Sequence, residues 1–226
     1  MSKALIPYLL VATLNLVACG IGDDMLRMIT KPLLMPALAL YFLMSVPQTV
    51  LSRYVLAALA FSFLGDTLLM FTGSNAQFFT FGLAAFLLAH LVYIIINISA
   101  VNSPGTGFKV QWQDLPFLAY GFVIFGFLKD DLGKMYFPAL AYAVVICIMG
   151  LTARKRWKRT DNESFWYVMS GAGTFMVSDT LLAFNKFSNP IAQADFLIMG
   201  TYIIAQFLII RGLIIFVQKI PHEAGS

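Results

Sequence analysis

The sequence predicts an all-α, polytopic membrane bundle: eight transmembrane helices built from two parallel four-helix repeats. Three observations predict it. Hydrophobic residues make up 60% of the chain and charged residues only 12%, against roughly 25% charged in soluble domains. The apolar residues gather into eight stretches, each near the roughly 20 residues that cross hydrocarbon as a helix. The segment Asp66-Thr67-Leu68-Leu69-Met70 nearly recurs as Asp179-Thr180-Leu181-Leu182-Ala183, and Phe71 and Phe184 extend the match. Residues 1–226 read as one transmembrane domain, with repeat one at about 1–100 and repeat two at about 110–220.

The first stretch, 4–20, follows one lysine and ends in Ala18-Cys19-Gly20. A cleaved leader shares these features, but several more spans follow and a first membrane helix fits better. The second, 30–46, comes after the break Ile21-Gly22-Asp23-Asp24, and the third, 52–71, after Pro47-Gln48. Gly73-Ser74-Asn75 separates the third from the fourth, 77–97, and Asn102-Ser103-Pro104-Gly105 precedes the fifth, 113–128. Lys129-Asp130-Asp131-Leu132-Gly133 leads into the sixth, 134–152. A basic run, Arg154 to Arg159, introduces the seventh, 165–185, and Asn189-Pro190 the eighth, 194–217. Each break carries the Gly, Pro, Asn, Asp and Ser of ordinary turns. Cys19 and Cys147 have no ligand spacing and read as apolar fillers without a disulfide.

Charge gives the orientation. Ten of the fifteen Lys and Arg residues fall on the side of the N-terminus, five of them between Arg154 and Arg159. Lys3, Arg53, Lys109, Arg211 and Lys219 are the other five, against Arg27, Lys31, Lys129, Lys134 and Lys186 opposite. The excess of cations marks the cytoplasmic side, so both termini are expected there. The net charge of +4 comes largely from one loop and does not argue for nucleic acid. Trp157 fits an interfacial anchor within that loop.

The repeat extends beyond the aspartates. Pro36-Ala-Leu-Ala-Leu-Tyr41 resembles Pro138-Ala-Leu-Ala-Tyr142, and Phe86-Leu-Leu-Ala-His-Leu91 resembles Tyr202-Ile-Ile-Ala-Gln-Phe207. Matching helices lie four spans apart, which makes the halves parallel repeats about an axis along the membrane normal. Spans three and seven both start in the cytoplasm, so Asp66 and Asp179 each lie about 14 residues, or roughly 20 Å, in. Lys31 and Lys186 sit near outer helix ends, Tyr202 about two turns down, and His90 and Gln206 deeper. Together these residues outline an outward-opening pocket between the halves.

Each has a structural alternative. The aspartates could be salt-bridged or capped, the lysines could snorkel to headgroups, and His90, Asn15, Asn97, Ser178, Tyr142 and Asn185 could serve as interhelical bonds. His90 is the only intramembrane histidine, which makes a dedicated zinc site a poor fit. The two carboxylates differ because a repeat singles them out, and an intramembrane acid is costly unless it is paired or functional. A pair in unequal surroundings can hold one acid protonated and the other ionised. That suits cleavage of an acid-labile carbon–oxygen bond, one group giving a proton and the other activating water. It would equally suit a proton-coupled transporter.

Several segments resemble the lysoplasmalogenase family, the YhhN-like membrane proteins. They are Thr30-Lys-Pro-Leu-Leu-Met-Pro36, Phe63-Leu-Gly-Asp-Thr-Leu-Leu-Met70, Ala89-His-Leu-Val-Tyr93, Ser178-Asp-Thr-Leu-Leu-Ala183 with Lys186-Phe187, and Tyr202-Ile-Ile-Ala-Gln206. The resemblance implies hydrolysis of the vinyl ether of lysoplasmalogens, releasing a fatty aldehyde and glycerophosphoethanolamine or glycerophosphocholine. On that basis Asp66 and Asp179 are expected to be catalytic, and Lys31 and Lys186 to hold the phosphate. Tyr202, His90 and Tyr93 are expected to position the glycerol or the water, Gln206 to bind substrate beside them, and Phe, Leu and Met side chains of spans three, four and seven to line the tail channel. No metal, nucleotide or other cofactor is expected. The partners would be a lysophospholipid substrate and membrane lipids, in a bacterial inner membrane. The competing expectations are a small proton-coupled transporter, a lysolipid-binding membrane protein, and an ester or amide lysolipid hydrolase. The last lacks an evident Ser-His-acid set.

Overall fold

A computed structural model describes residues 3–102 and 111–219. Eight α-helices follow one another: α1 (Ile6–Ile21), α2 (Asp24–Leu43), α3 (Val50–Met70), α4 (Gln77–Ser99), α5 (Leu115–Leu128), α6 (Tyr136–Arg154), α7 (Asn162–Phe187) and α8 (Ala194–Lys219). Single 3-10 turns precede α1, α5 and α6, and no strand occurs among the described residues. Lys109 and the turn residues Ser103, Pro104 and Gly105 lie outside the described residues.

Local chemistry accounts for the helix ends. Gly22, at φ 73°, closes α1 in the left-handed conformation that only glycine adopts without strain. The Asp23 carboxylate caps α2 by accepting the Leu26 N–H at 3.0 Å. Thr49 and Ser52 cap α3 reciprocally, and Asp161 caps α7 by accepting the Ser164 N–H at 3.0 Å. The sequence predicts the second helix from residue 30, yet α2 begins at Asp24. The polar first turn, with its Asp23 cap and an Arg27–Asp24 ion pair at 2.7 Å, carries the helix past the apolar stretch.

Among the described residues, six helices are long and apolar enough to cross a membrane: α1, α2, α3, α4, α6 and α8, some with their preceding turns. The chain is an integral membrane protein. α5 is shorter, at 14 residues. α7 has 26 residues but carries many Ser, Thr, Asn and charged side chains.

The most extensive packing joins α3 to α4 and α7 to α8, while α1 packs on α2 and α8, and α4 packs on α6. α5 stands at the edge, against α6 and α7. The α7–α8 contact depends on glycine. A Cβ on Gly171 would lie 2.8 Å from the Ile209 N, and one on Gly212 would lie 2.9 Å from the Val168 N. Small residues at such crossings let backbones approach where lipid supplies no hydrophobic drive.

The basic run after α6 is only partly solvated. Arg156 is fully buried, donating to the Ala100 carbonyl at 3.1 Å and to Ser164 Oγ at 2.9 Å, with its guanidinium over the Phe216 ring. It ties the end of α4 to the start of α7 and the end of α8. Burial pushes its pKa down to about 10, opposed by nearby Asp161, so it stays charged at neutral pH. Arg154 and Lys155 pair with the buried Asp114 ahead of α5. Trp157 packs against Phe165 and Trp166.

Candidate functional site

A cavity of about 560 Å³ opens among α2, α3, α4, α7 and α8. Asp66 and Asp179 both line it, as do Lys31, Lys186 and Tyr202. Its rim is formed by Asp24 and Arg27 at the start of α2, Thr72 and Gly73 after α3, Asn185 near the end of α7, and Asp195 at the start of α8. The cavity therefore belongs to the end of the bundle that carries the α1–α2, α3–α4 and α7–α8 connections.

The two aspartates have different surroundings. Asp66, on α3, is almost fully enclosed; its Oδ2 accepts the Tyr202 hydroxyl from α8 at 2.7 Å, and its Oδ1 is 3.9 Å from Lys31 Nζ. Asp179, on α7, keeps 14% of its side chain exposed. Its Oδ2 accepts the Tyr142 hydroxyl from α6 at 2.7 Å and lies 3.1 Å from His90 Nε2 on α4. Nε2 also lies 2.9 Å from the Tyr142 hydroxyl, so His90, Tyr142 and Asp179 close a triangle of polar atoms. His90 Nδ1 has no partner, and the ring is held edge-on against Phe175 and Tyr142.

Lys31, Lys186 and Tyr202 thus share the cavity with both acids. Lys186 Nζ lies 4.9 Å from the centre of the Phe79 ring, a cation–π contact. His90, Tyr93 and Gln206 are buried and stand behind the cavity wall. Tyr93 donates to Gln206 Oε1 at 2.6 Å, and Gln206 Nε2 donates to Ser62 Oγ at 3.0 Å and reaches Tyr202 OH at 3.5 Å. These three orient the groups that face the cavity. Sequence reasoning assigned Tyr142 only to interhelical bonding and did not link it to Asp179. It also missed the rim pair Arg27–Asp195, which joins α2 to α8. A cation four residues into a helix beside Asp23 and Asp24 was the one local signal of that rim.

A second, narrower crevice of about 80 Å³ lies between α5, α6 and α7 and is almost entirely apolar. Phe79, Asp179 and Leu182 line both spaces. Cys19 and Cys147 are free thiols. Among the described residues no three His, Cys, Asp or Glu side chains come together in a metal-holding group.

The chain is 30% identical over 154 residues to the human protein named lysoplasmalogenase TMEM86B, covering 67% of this chain and 59% of that one. The pig protein of that name is 32% identical over 152 residues, with the same coverage of each chain. Bovine lysoplasmalogenase TMEM86A is 28% identical over 159 residues, 69% of this chain and 62% of that one. The chain thus spans about three fifths of the length of these relatives. No solved structure matches it. The family model described as YhhN family matches residues 26–213, which take in nearly all of α2, α3 to α7 whole and most of α8. The chain belongs to the YhhN family.

Proposed function

We propose that this protein hydrolyses the vinyl ether bond of lysoplasmalogens, releasing a fatty aldehyde and glycerophosphoethanolamine or glycerophosphocholine. One observation carries the reading: Asp66 and Asp179 line a single cavity together with two lysines. Relatives that bear the name lysoplasmalogenase support the substrate class. A vinyl ether is cleaved when its outer alkene carbon is protonated, because the cation that forms is an oxocarbenium ion. Water adds to that ion, and the resulting hemiacetal collapses to aldehyde and alcohol.

Asp66 is assigned the proton-donating role. When it gives up its proton, Lys31 at 3.9 Å stabilises the carboxylate left behind. Asp179 is assigned the carboxylate role, which its partial exposure and the Tyr142 hydroxyl donating to its Oδ2 support. It faces the oxocarbenium ion and takes a proton from the attacking water. As the hemiacetal breaks down, its hydroxyl gives a proton to Asp66 while Asp179 gives its own to the departing glycerol oxygen, which restores both groups. Lys186, which has no carboxylate partner among the described residues, and Lys31 would attract the phosphate as point charges.

The proposed setting is a bacterial inner membrane, with eight spans, two parallel repeats and both termini in the cytoplasm. The packing of α3 on α4 and of α7 on α8 as the two closest pairs supports the duplication. So does the reciprocal crossing at the site: Tyr202 of α8 reaches Asp66, and His90 of α4 reaches Asp179.

Purified protein incubated with lysoplasmenyl and acyl lysolipids in D₂O tests the reaction. Mass spectrometry should find aldehyde from the vinyl ether alone, with one deuterium on the carbon next to the carbonyl. Asp66→Asn and Asp179→Asn should each lower kcat by about 10²–10⁴. Near-normal turnover in either variant would rule out the acid-pair mechanism.

A further inference from the structure

We propose that the apolar crevice between α5, α6 and α7 is the seat of the substrate's hydrocarbon chain, with Asp179 at the junction of head and tail. This rests on the functional reading above and gives the chain a place that reading leaves unassigned. The larger cavity has mixed polar and apolar walls and carries the lysines; the crevice is walled by groups such as Gly121 and Ile124 of α5, Ala143, Ile146 and Cys147 of α6, and Met176 of α7. The polar atoms that border the crevice are engaged within the protein. Tyr120 donates to the Met176 carbonyl at 2.9 Å, Thr180 donates to that carbonyl at 2.9 Å, and Tyr142 donates to Asp179. The crevice therefore presents hydrocarbon to whatever enters it.

Asp179, Phe79 and Leu182 stand in the walls of both spaces, so the two lie side by side there. An amphiphile with its phosphate at the lysines and its chain in the crevice must pass its head–tail linkage across that carboxylate. The vinyl ether is that linkage. From Asp179 the crevice runs deeper, past Met176 on α7 and towards Ile146 and Cys147 on α6. Along α6, Ala139 to Cys147 covers roughly 12 Å. At about 80 Å³ the crevice is much the narrower of the two spaces, and the proposal gives it the single chain of a lysolipid. Gly121 sets the width, since a Cβ there would collide with Cys147 Sγ and push α5 off α6.

The test combines two variants with a probe that needs no turnover. Ala143→Leu narrows the crevice and Cys147→Ala widens it. The ratio of kcat/KM for a long-chain over a short-chain lysoplasmenylethanolamine should fall about tenfold or more in the first and hold or rise in the second. If Ala143→Leu does not fold, Cys147→Ala and the probe decide. The probe is an alkyl-ether lysophosphoethanolamine with a diazirine on its chain, photolysed with the wild-type protein and mapped by peptide mass spectrometry. Adducts on residues 120–147 and 176–187 are the expected result. Adducts confined to α1, α2 or α3, or an unchanged chain-length ratio in a folded, active Ala143→Leu variant, would overturn the assignment. If wild-type protein releases no aldehyde, the hydrolase reading falls, and the photolabel still decides whether the crevice binds a chain.

Discussion

At the scale of single residues, the two aspartates began as matching oddities, and their neighbours make them different. Lys31 approaches only Asp66, while Tyr142 and His90 approach only Asp179. Aligning the repeats through Phe86-Leu-Leu-Ala-His and Tyr202-Ile-Ile-Ala-Gln puts His90 opposite Gln206 and Tyr202 opposite Phe86. Under the proposed duplication, matching positions carry unequal chemistry around the two acids. The carboxylates were legible in the sequence because an acid inside an apolar stretch is rare and costly. Their partners were not, since Tyr142 lies 37 residues from Asp179 and His90 lies 89 away, with no spacing rule to join them. Removing one donor from Asp179 isolates its contribution. Tyr142→Phe should lower kcat about 10–100-fold with little change in KM, as expected for a hydrogen bond to a charged group. The lysines should separate in steady-state kinetics. Lys186→Met should act mainly by raising KM, and Lys31→Met should also lower kcat, because it stabilises the Asp66 carboxylate left after proton transfer. Equal effects of the two on both constants would contradict the division of roles.

At the scale of helices, the apolar stretches located every element, and most boundaries agree within a few residues. The exception is α2, whose cap and ion pair extend it by six residues relative to the predicted start at 30. That extension brings Arg27 to the cavity rim, where it meets Asp195 of α8. Hydropathy is blind to such a turn because the turn is polar. Capping has a measurable consequence at α7. Burial works against the charge of Asp161, but the Ser164 N–H and the Lys219 ammonium outweigh it and hold the carboxyl below its usual range. Its stabilisation is complete above the unfolded value of about 3.9 and is lost as pH falls through the lower folded value. Asp161→Ala should cost about 1 kcal/mol at neutral pH. The deficit relative to wild type should shrink on acidification below pH 4, by thermal unfolding in detergent. The α7–α8 crossing should tolerate less. Gly171→Leu places its first side-chain carbon against the Ile209 backbone N–H and the Ala205 carbonyl, which cannot retreat as a side chain can. Overpacking of this kind costs about 1–3 kcal/mol or more and should appear as a lowered Tm, whereas Gly173→Leu, with open space around its Cβ position, should change Tm little.

At the scale of the whole molecule, the sequence's eight helices are present in order, but length and hydropathy mark only six as sure spans. α5 and α7 fall outside that set, and the two topologies that result are physically distinct. If neither crossed, the α6–α7 connection would lie outside with Arg154, Lys155, Arg156, Lys158 and Arg159, against the charge rule. α7 is about 39 Å long at helical rise and packs on α8 near both ends, through Gly212 against Val168 and through a Ser178 hydroxyl donating to the Ile198 carbonyl at 3.0 Å. A helix so closely paired with a spanning partner is expected to share its course, and Ser178 and Asp179 turn to α8 and the cavity. α5 covers only about 21 Å, a mismatch that local thinning or snorkelling ends can absorb. Single cysteines at Ser74, Asp130, Lys158 and Asn189, in a Cys19→Ala, Cys147→Ala background, separate the two topologies. With eight spans, an impermeant maleimide applied to intact spheroplasts should label positions 74, 130 and 189, and reach 158 only after permeabilisation. With six, position 130 would be protected and 158 labelled from outside. The second pattern would put the shared cavity's α7 wall outside the bilayer and remove the reason for two buried acids to lie at one depth.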